Sequence, residues 1–169
     1  MISYVGDVPL FYVAAQKFKV DGIDNKALAD EVLASQERMT NDPTIPLYED
    51  TVFDPEPASE GAKLLEIVTA KAAQYGMRVA EQWSQIHQPL ESTGLHHHLN
   101  GVNVYGFVYY VRVPANAGML TFEFESGAST TIAPAEKELY IFPAWAKHKV
   151  SKNMSGSIRI SISGNLSPM

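Results

Sequence analysis

The sequence predicts a mainly β domain, a β-sandwich or barrel, with two helices against its outside. After Gln82 the hydrophobic pattern switches to period two, in several short runs. Gly, Asn and Pro punctuate those runs at Pro114–Gly118, Ser126-Gly127 and Asn153–Gly156. Ahead of Gln82, two segments have helical period instead. A chain of 169 residues with 46% apolar and 19% charged residues is globular in composition and long enough to bury a core. We therefore expect one domain over 1–169, with 1–82 as strand and helical support and 83–169 as the barrel core.

In chain order, Asp24 or Asn25 can cap a first helix whose Leu28, Val32, Ser35 and Met39 share a stripe. Thr40–Pro57 follows, with Pro43, Pro46, Pro55 and Pro57 among acidic residues, and reads as a surface excursion of the kind that serves as a lid or binding loop. Ser59 caps a second helix, with Leu64, Val68, Ala72, Tyr75 and Val79 on its apolar face. Val102–Val113 is apolar on nearly both faces, as a central strand must be, and the stretch from Leu99 to Tyr105 reads as part of the same strand region. Leu120, Phe122 and Phe124 alternate with Thr121, Glu123 and Glu125 in a half-buried strand. Leu139–Phe142 is a short strand ended by Pro143. In the last strand Ile158, Ile160 and Ile162 form one face, and Ser157, Arg159, Ser161 and Ser163 the other. Trp83 and Trp145 are expected in the core, and Glu123 and Glu125 on a solvated face.

Composition excludes several classes of function. The net charge is −6 and the basic residues are scattered, so neither nucleic acid nor a membrane surface is an expected partner. The absence of cysteine excludes a disulfide scaffold and any zinc–thiolate site, and fits a reducing compartment. Met1–Ala15 carries Asp7 and no basic region, so it does not read as a signal peptide. The apolar run Val104–Val111 is too short to cross a bilayer. A soluble cytoplasmic protein is the expectation.

Chemistry concentrates in Leu95-His96-His97-His98-Leu99, answered by His148 and then Arg159. Imidazole is the commonest metal ligand and binds when neutral. Residues i and i+2 of a strand share a face, so His96 and His98 can reach one ion while His97 points away. His148, on a facing strand, would complete three nitrogen ligands on one side of a metal, with the other side open. His97, Asn100 or a carboxylate from Glu123 or Glu125 stays in reserve for the place of His98. A lone histidine is ordinarily solvated or a satisfied core residue, and His87 is read that way. Arg159 sits on an otherwise serine face and could present its fork to a carboxylate, with Ser161 adding a hydroxyl. A small dicarboxylate or oxo-acid is then a candidate ligand. Tyr105, Phe107, Tyr109 and Tyr110 are pocket-lining or core residues.

Four segments in one order carry a resemblance: WSQIHQPLESTGLHHH (Trp83–His98), GFVYYVRVP (Gly106–Pro114), ELYIFPAWAKH (Glu138–His148) and SGSIRISIS (Ser155–Ser163). Together they resemble the small Fe(II)/2-oxoglutarate-dependent oxygenases common in bacteriophage and marine bacterial genomes. That resemblance implies a double-stranded β-helix, the jelly-roll barrel also found in cupins. It implies Fe(II) held by His96, His98 and His148, and 2-oxoglutarate held by Arg159 and Ser161, with Tyr109 or Tyr110 touching the co-substrate. O2 is the implied oxidant, with ascorbate as a further candidate. The implied activity is a dioxygenase, a hydroxylase of a peptide side chain or small metabolite, that couples substrate oxidation to conversion of 2-oxoglutarate to succinate. A phage-encoded origin would place it in the host cytoplasm, and a homodimer is a candidate assembly. Most of the superfamily has His-x-Asp/Glu, whereas position 98 here is histidine, as in the close branch.

Two other readings compete. A cupin with a three-histidine iron would act without 2-oxoglutarate, but it leaves Arg159 without a task. A non-enzymatic viral jelly-roll module would leave the histidine cluster without one. The Thr40–Pro57 excursion and Thr93-Gly94 are the candidate substrate-shaping segments.

Overall fold

The computed structural model describes residues 1–10, 13–40 and 50–169. Its elements in chain order are β1 (Ile2–Leu10), β2 (Val13–Val20), α1 (Asn25–Thr40), β3 (Asp50–Val52), α2 (Glu60–Ala73), β4 (Met77–His87), β5 (Thr93–His96), β6 (Tyr105–Arg112), β7 (Leu120–Glu123), β8 (Ser129–Ile132), β9 (Glu138–Pro143), β10 (Lys147–Val150) and β11 (Arg159–Pro168). They form a seven-stranded sheet in the order β1-β2-β9-β6-β11-β4-β3 and a four-stranded sheet in the order β5-β10-β7-β8. Every pairing is antiparallel.

The large sheet is covered on both faces, and this is why β6 is apolar on both sides. Phe107, Tyr109 and Val111 point outward with Ile160, Ile162, Leu139 and Ile141, and pack under Leu28 and Val32 of α1 and Leu64 and Val68 of α2. The intervening residues Val108 and Tyr110 point inward with Tyr140 and Phe142, and meet Leu120 and Phe122 of the small sheet. This is the double-stranded β-helix with helices on its outside, as the sequence reading expected.

Local chemistry starts the helices as foreseen. Asp24 Oδ1 accepts from the amides of Lys26 and Ala27, so Asp24 rather than Asn25 caps α1. Ser59 caps α2 by accepting from the Ala62 amide. Asn25 is instead buried and donates to the carbonyls of Tyr110 and Val111, which pins α1 to β6.

Several expectations need correction. The second helix stops at Ala73 because Gly76 adopts φ +69, a left-handed conformation that ends a helix. Tyr75 is therefore exposed, and Val79 belongs to β4, which begins at Met77, before Gln82. Leu99–Val104 is not strand but a bend at Asn100-Gly101, where Gly101 has φ +92 and Asn100 Oδ1 accepts from the Asn103 amide. The last strand runs on to Pro168. Of the Thr40–Pro57 excursion, residues 41–49 lie outside the described residues, while Asp50–Val52 forms an edge strand on β4. Met39 also lies outside the described side chains. Trp145 is 46% exposed rather than core, since it stands at the tight turn between β9 and β10.

Candidate metal centre

Strand register, not sequence proximity, assembles the inner face. Along β11, Arg159, Ser161, Ser163 and Asn165 all point inward, and each pairs with a residue of β4: His87, Gln85, Trp83 and Glu81 respectively. On the other side of β11, Ser161 pairs with Tyr110, Ser163 with Val108, and Asn165 with Gly106 of β6. Opposite this row, in the small sheet, His96 of β5 is the direct cross-strand partner of His148 of β10. His98 lies just beyond the end of β5, its amide donating to the Ala144 carbonyl at 2.8 Å.

The structure brings His96, His98 and His148 together, with one ring nitrogen of each within 4.8 Å of the others. Ring centroids are 5.4 Å apart for His96–His98, 4.3 Å for His96–His148 and 5.0 Å for His98–His148. His97 is exposed and outside the group, its Nδ1 accepting from the Leu99 amide. Asn100 is used in its turn, and Glu123 pairs with Lys149 on the outer side of β7, so neither reaches the cluster.

Each of the three rings is oriented by an oxygen at Nδ1. His96 Nδ1 lies 2.9 Å from the Gly94 carbonyl, His148 Nδ1 2.8 Å from the Ala146 carbonyl, and His98 Nδ1 2.6 Å from Asn165 Oδ1. Oxygens of this kind only accept, so each Nδ1 carries the proton and each Nε2 keeps its lone pair. A donor at Nδ1 with a free Nε2 is the arrangement that raises the basicity of a metal-binding imidazole. Burial among Phe142, Phe122 and Trp83 opposes protonation. It holds His98 at about 4 and His148 at about 3, against an ordinary value of 6.5. Both rings are neutral and ready to ligate at physiological pH.

Gly106 makes room for this ring packing. A Cβ there would stand 2.8 Å from His98 Nδ1 and 2.8 Å from the Phe142 ring.

Arg159 lines the same cavity with Ser161, Ser163, Tyr110, Gln85, Trp83 and Thr93. Its side chain is 1% exposed, and it forms no ion pair among the described residues. Nη1 donates to the Ala117 carbonyl at 2.9 Å and Nη2 to His87 Nδ1 at 2.5 Å, while Nε is buried without a partner. A guanidinium only donates, so His87 Nδ1 accepts and its Nε2–H faces Thr93 Oγ1 at 2.8 Å. Burial and the adjacent Arg159 charge push His87 down to about 4. His87 is thus a bracket between the arginine and Thr93, not the isolated histidine expected from sequence.

The two tyrosines separate by alternation. Tyr110 faces the cavity, and burial raises its phenol well above the usual range. Tyr109 faces the helices and its hydroxyl donates to Asn25 Oδ1 at 2.5 Å, so it does not line the cavity, which corrects its place among the co-substrate candidates. Trp83 likewise leaves the core for the cavity wall, 5.6 Å from the His98 ring. The residues missed by sequence reasoning are His87, Thr93 as a hydroxyl group, and Asn165. Period-two counting forward from Arg159 reaches Asn165 and forward from Trp83 reaches His87, but their partners depend on register, and Thr93 joins His96 on the cavity side through the irregular pairing of β5 with β10.

Among the described residues no helix is long and apolar enough to cross a membrane. Residues 123–165 match a family model described as "Putative 2OG-Fe(II) oxygenase". That span contains His148, Arg159 and Ser161. No curated protein matches the chain. Among solved structures, the chain is similar to a Pseudomonas putida prolyl-4-hydroxylase, with 18% identity, TM-score 0.67 and 86% of each chain covered. It is also similar to the viral collagen prolyl hydroxylase of Paramecium Bursaria Chlorella virus-1, solved as a 2OG complex, with 12% identity, TM-score 0.61, and 90% of this chain and 96% of that one covered. A third is the non-heme alpha-ketoglutarate-dependent carbocyclase SnoK from nogalamycin biosynthesis, with 12% identity, TM-score 0.66, and coverage of 91% and 79%. The chain has the double-stranded β-helix fold of these enzymes and, over residues 123–165, the sequence pattern of the 2OG-Fe(II) oxygenases.

Proposed function

We propose that this protein is an Fe(II)- and 2-oxoglutarate-dependent dioxygenase that oxidises a peptide side chain or a small metabolite. The observation that carries the reading is a pairing across one cavity. Three imidazoles offer lone pairs on one side, and a buried guanidinium with no counter-charge among the described residues stands on the other. The donor set fits Fe(II), which imidazole suits. The unpaired Nε of Arg159 fits an incoming carboxylate, since a buried cation is costly until an anion compensates it.

In this reading His96, His98 and His148 hold the iron through Nε2, and the Gly94, Asn165 and Ala146 oxygens keep those nitrogens unprotonated. Arg159 anchors the distal carboxylate of the oxo-acid, Ser161 and Tyr110 line its path, and His87 holds the guanidinium in place. Bound iron would supply the redox chemistry that couples conversion of 2-oxoglutarate and O2 to succinate and CO2 with oxidation of a substrate C–H bond. Phe142, Phe122 and Trp83 shield His98 and His148 from water, while His96 stands at the exposed edge of the cluster. The similar structures include prolyl hydroxylases and a carbocyclase of antibiotic biosynthesis, so peptide and small-molecule substrates both deserve screening.

The test is addition of 2-oxoglutarate to anaerobic, Fe(II)-loaded protein. A visible metal-to-ligand charge-transfer band that vanishes in Arg159→Ala is the expected result. Iron binding without the band favours a three-histidine cupin-type oxygenase, and no iron binding sinks both. Succinate release stimulated by one member of a peptide and metabolite panel would identify the substrate class.

A further inference from the structure

With histidine at position 98, the cluster contains no carboxylate, yet a negative charge stands two hydrogen bonds away. Asn165 Nδ2 donates to Glu81 Oε1 at 2.5 Å, and Asn165 Oδ1 lies 2.6 Å from His98 Nδ1. We propose that Glu81, acting through Asn165, is a positioning residue that sets the tautomer of His98. The proposal rests on the reading of His98 as a metal ligand.

A carboxylate only accepts, so it turns the NH2 end of the Asn165 amide toward itself. The amide is planar, and its oxygen must then face His98. That oxygen requires an N–H at His98 Nδ1, which leaves the lone pair on Nε2, inside the cluster. His96 and His148 need no such control, because their acceptors are backbone carbonyls that cannot reverse. His98 alone of the three depends on a side chain whose two ends can exchange. An Asn165 turned the other way would offer NH2 to Nδ1, move the ring proton to Nε2 and block metal binding.

The fold builds this relay deliberately. Glu81 and Asn165 are cross-strand partners, and the bulge at Ala80, just before Glu81 in β4, lets Val79 pair with Leu166 in the outer core. On its other side Asn165 pairs with Gly106, where the missing side chain lets the His98 ring descend to the amide. Asn165 is 6% exposed, so water does not compete for its amide, whereas Glu81 is exposed and can be exchanged without opening the core.

The sharp experiment reverses the hydrogen-bonding sense at position 81. Glu81→Lys only donates, so the Asn165 oxygen should swing to it and the ring proton of His98 should shift to Nε2. Glu81→Gln keeps an acceptor oxygen and should preserve the original tautomer. Long-range proton–nitrogen NMR of the metal-free, nitrogen-15-labelled protein reads the tautomer directly, with His98→Gln assigning the signals. Co(II) affinity should fall about tenfold or more in Glu81→Lys, in the range found for outer-shell partners of histidine ligands, and recover in Glu81→Gln. A Glu81→Lys protein whose His98 keeps its proton on Nδ1 overturns the proposal. The underlying ligand reading fails separately, if His98→Gln binds Co(II) as tightly as the unaltered protein, because the tautomer is read without metal.

Discussion

Replacing Arg159 by methionine should separate ligand binding from folding. In the reading above, the guanidinium is held for a carboxylate that arrives from outside. Removing one partner of a buried charge pair costs about 2–5 kcal/mol, which is a factor of about 30 to 5,000 in the dissociation constant of 2-oxoglutarate. The effect on the fold is the difference of two opposed terms. An apolar side chain of similar length removes several kcal/mol of desolvation penalty. It also strands the Ala117 carbonyl and His87 Nδ1, at about 1–3 kcal/mol each. The two nearly cancel, so the ligand-free protein should stay within about 2 kcal/mol of the parent, or roughly 4–8 °C in melting temperature for a chain of this size. At a 2-oxoglutarate concentration one hundred times its dissociation constant, the parent should gain about 2.7 kcal/mol. At the same concentration the variant should gain about 0.9 kcal/mol or less, for a dissociation constant weakened at least thirtyfold. Anaerobic thermal unfolding with and without 2-oxoglutarate, with Mn(II) in place of iron, measures both quantities. A variant that keeps the full 2-oxoglutarate shift would mean that another group holds the carboxylate. A variant that fails to fold would mean that Arg159 belongs to the fold and not to a ligand.

The remaining predictions test the cavity walls. Ala at Gly106 pushes a methyl group against His98 Nδ1 and the Phe142 ring, and should cost about 1–3 kcal/mol of stability and weaken Co(II) binding. Calorimetric titration with unchanged Co(II) affinity would refute the role given to this glycine. Tyr109→Phe should lose about 1–2 kcal/mol in denaturant unfolding, because Asn25 Oδ1 loses its donor, with no change in 2-oxoglutarate affinity. Tyr110→Phe should show the opposite pattern, and exchanged outcomes would show that the inward face was assigned wrongly. In the metal-free protein, burial depresses His87 and His98 to about 4 and His148 to about 3. The stability they contribute is complete above about pH 6.5 and is lost as pH falls from there toward 4, since the unfolded chain takes up protons that the native rings refuse. Urea unfolding from about pH 7 down to 4 should show that slope, and His148→Gln should make it shallower.

Alternation was the part of this fold that could be read directly. It divides isoleucine from arginine and serine in β11 and explains β6 as a strand covered on both faces. Applied strictly, the same rule also decides between Tyr109 and Tyr110, since neighbours on a strand cannot share a face. It places Trp83 with Gln85 and His87 on the cavity side as well. What alternation does not carry is register. The partnership of His87 with Arg159 joins residues 72 apart in sequence, and nothing local distinguishes His87 from a solvated histidine. Strand ends were equally hidden. The β5–β6 connection opens at Asn100-Gly101, where a left-handed glycine competes with the apolar run around it and wins.

Position 98 shows why the members of a histidine cluster are harder to read than a fold. His98 lies past the last residue of β5, where period two no longer governs direction. It reaches the cluster because its amide is tied to the Ala144 carbonyl and because Gly106 has no side chain beneath it. Its ring is then oriented by Asn165, which is buried at a distance of 67 residues in sequence. Each of these groups belongs to a different strand or loop, and each is unremarkable where it stands in the chain. A carboxylate at position 98 would bring its own charge and would need no tautomer control. Under the proposal above, a histidine there needs its tautomer and its room set from outside, so the surrounding strands must specify an oxygen at one point and an empty space at another. That demand is met by Asn165 and Gly106 as direct cross-strand neighbours. The chemistry of this centre is therefore encoded as much in the pair behind His98 as in the histidine itself.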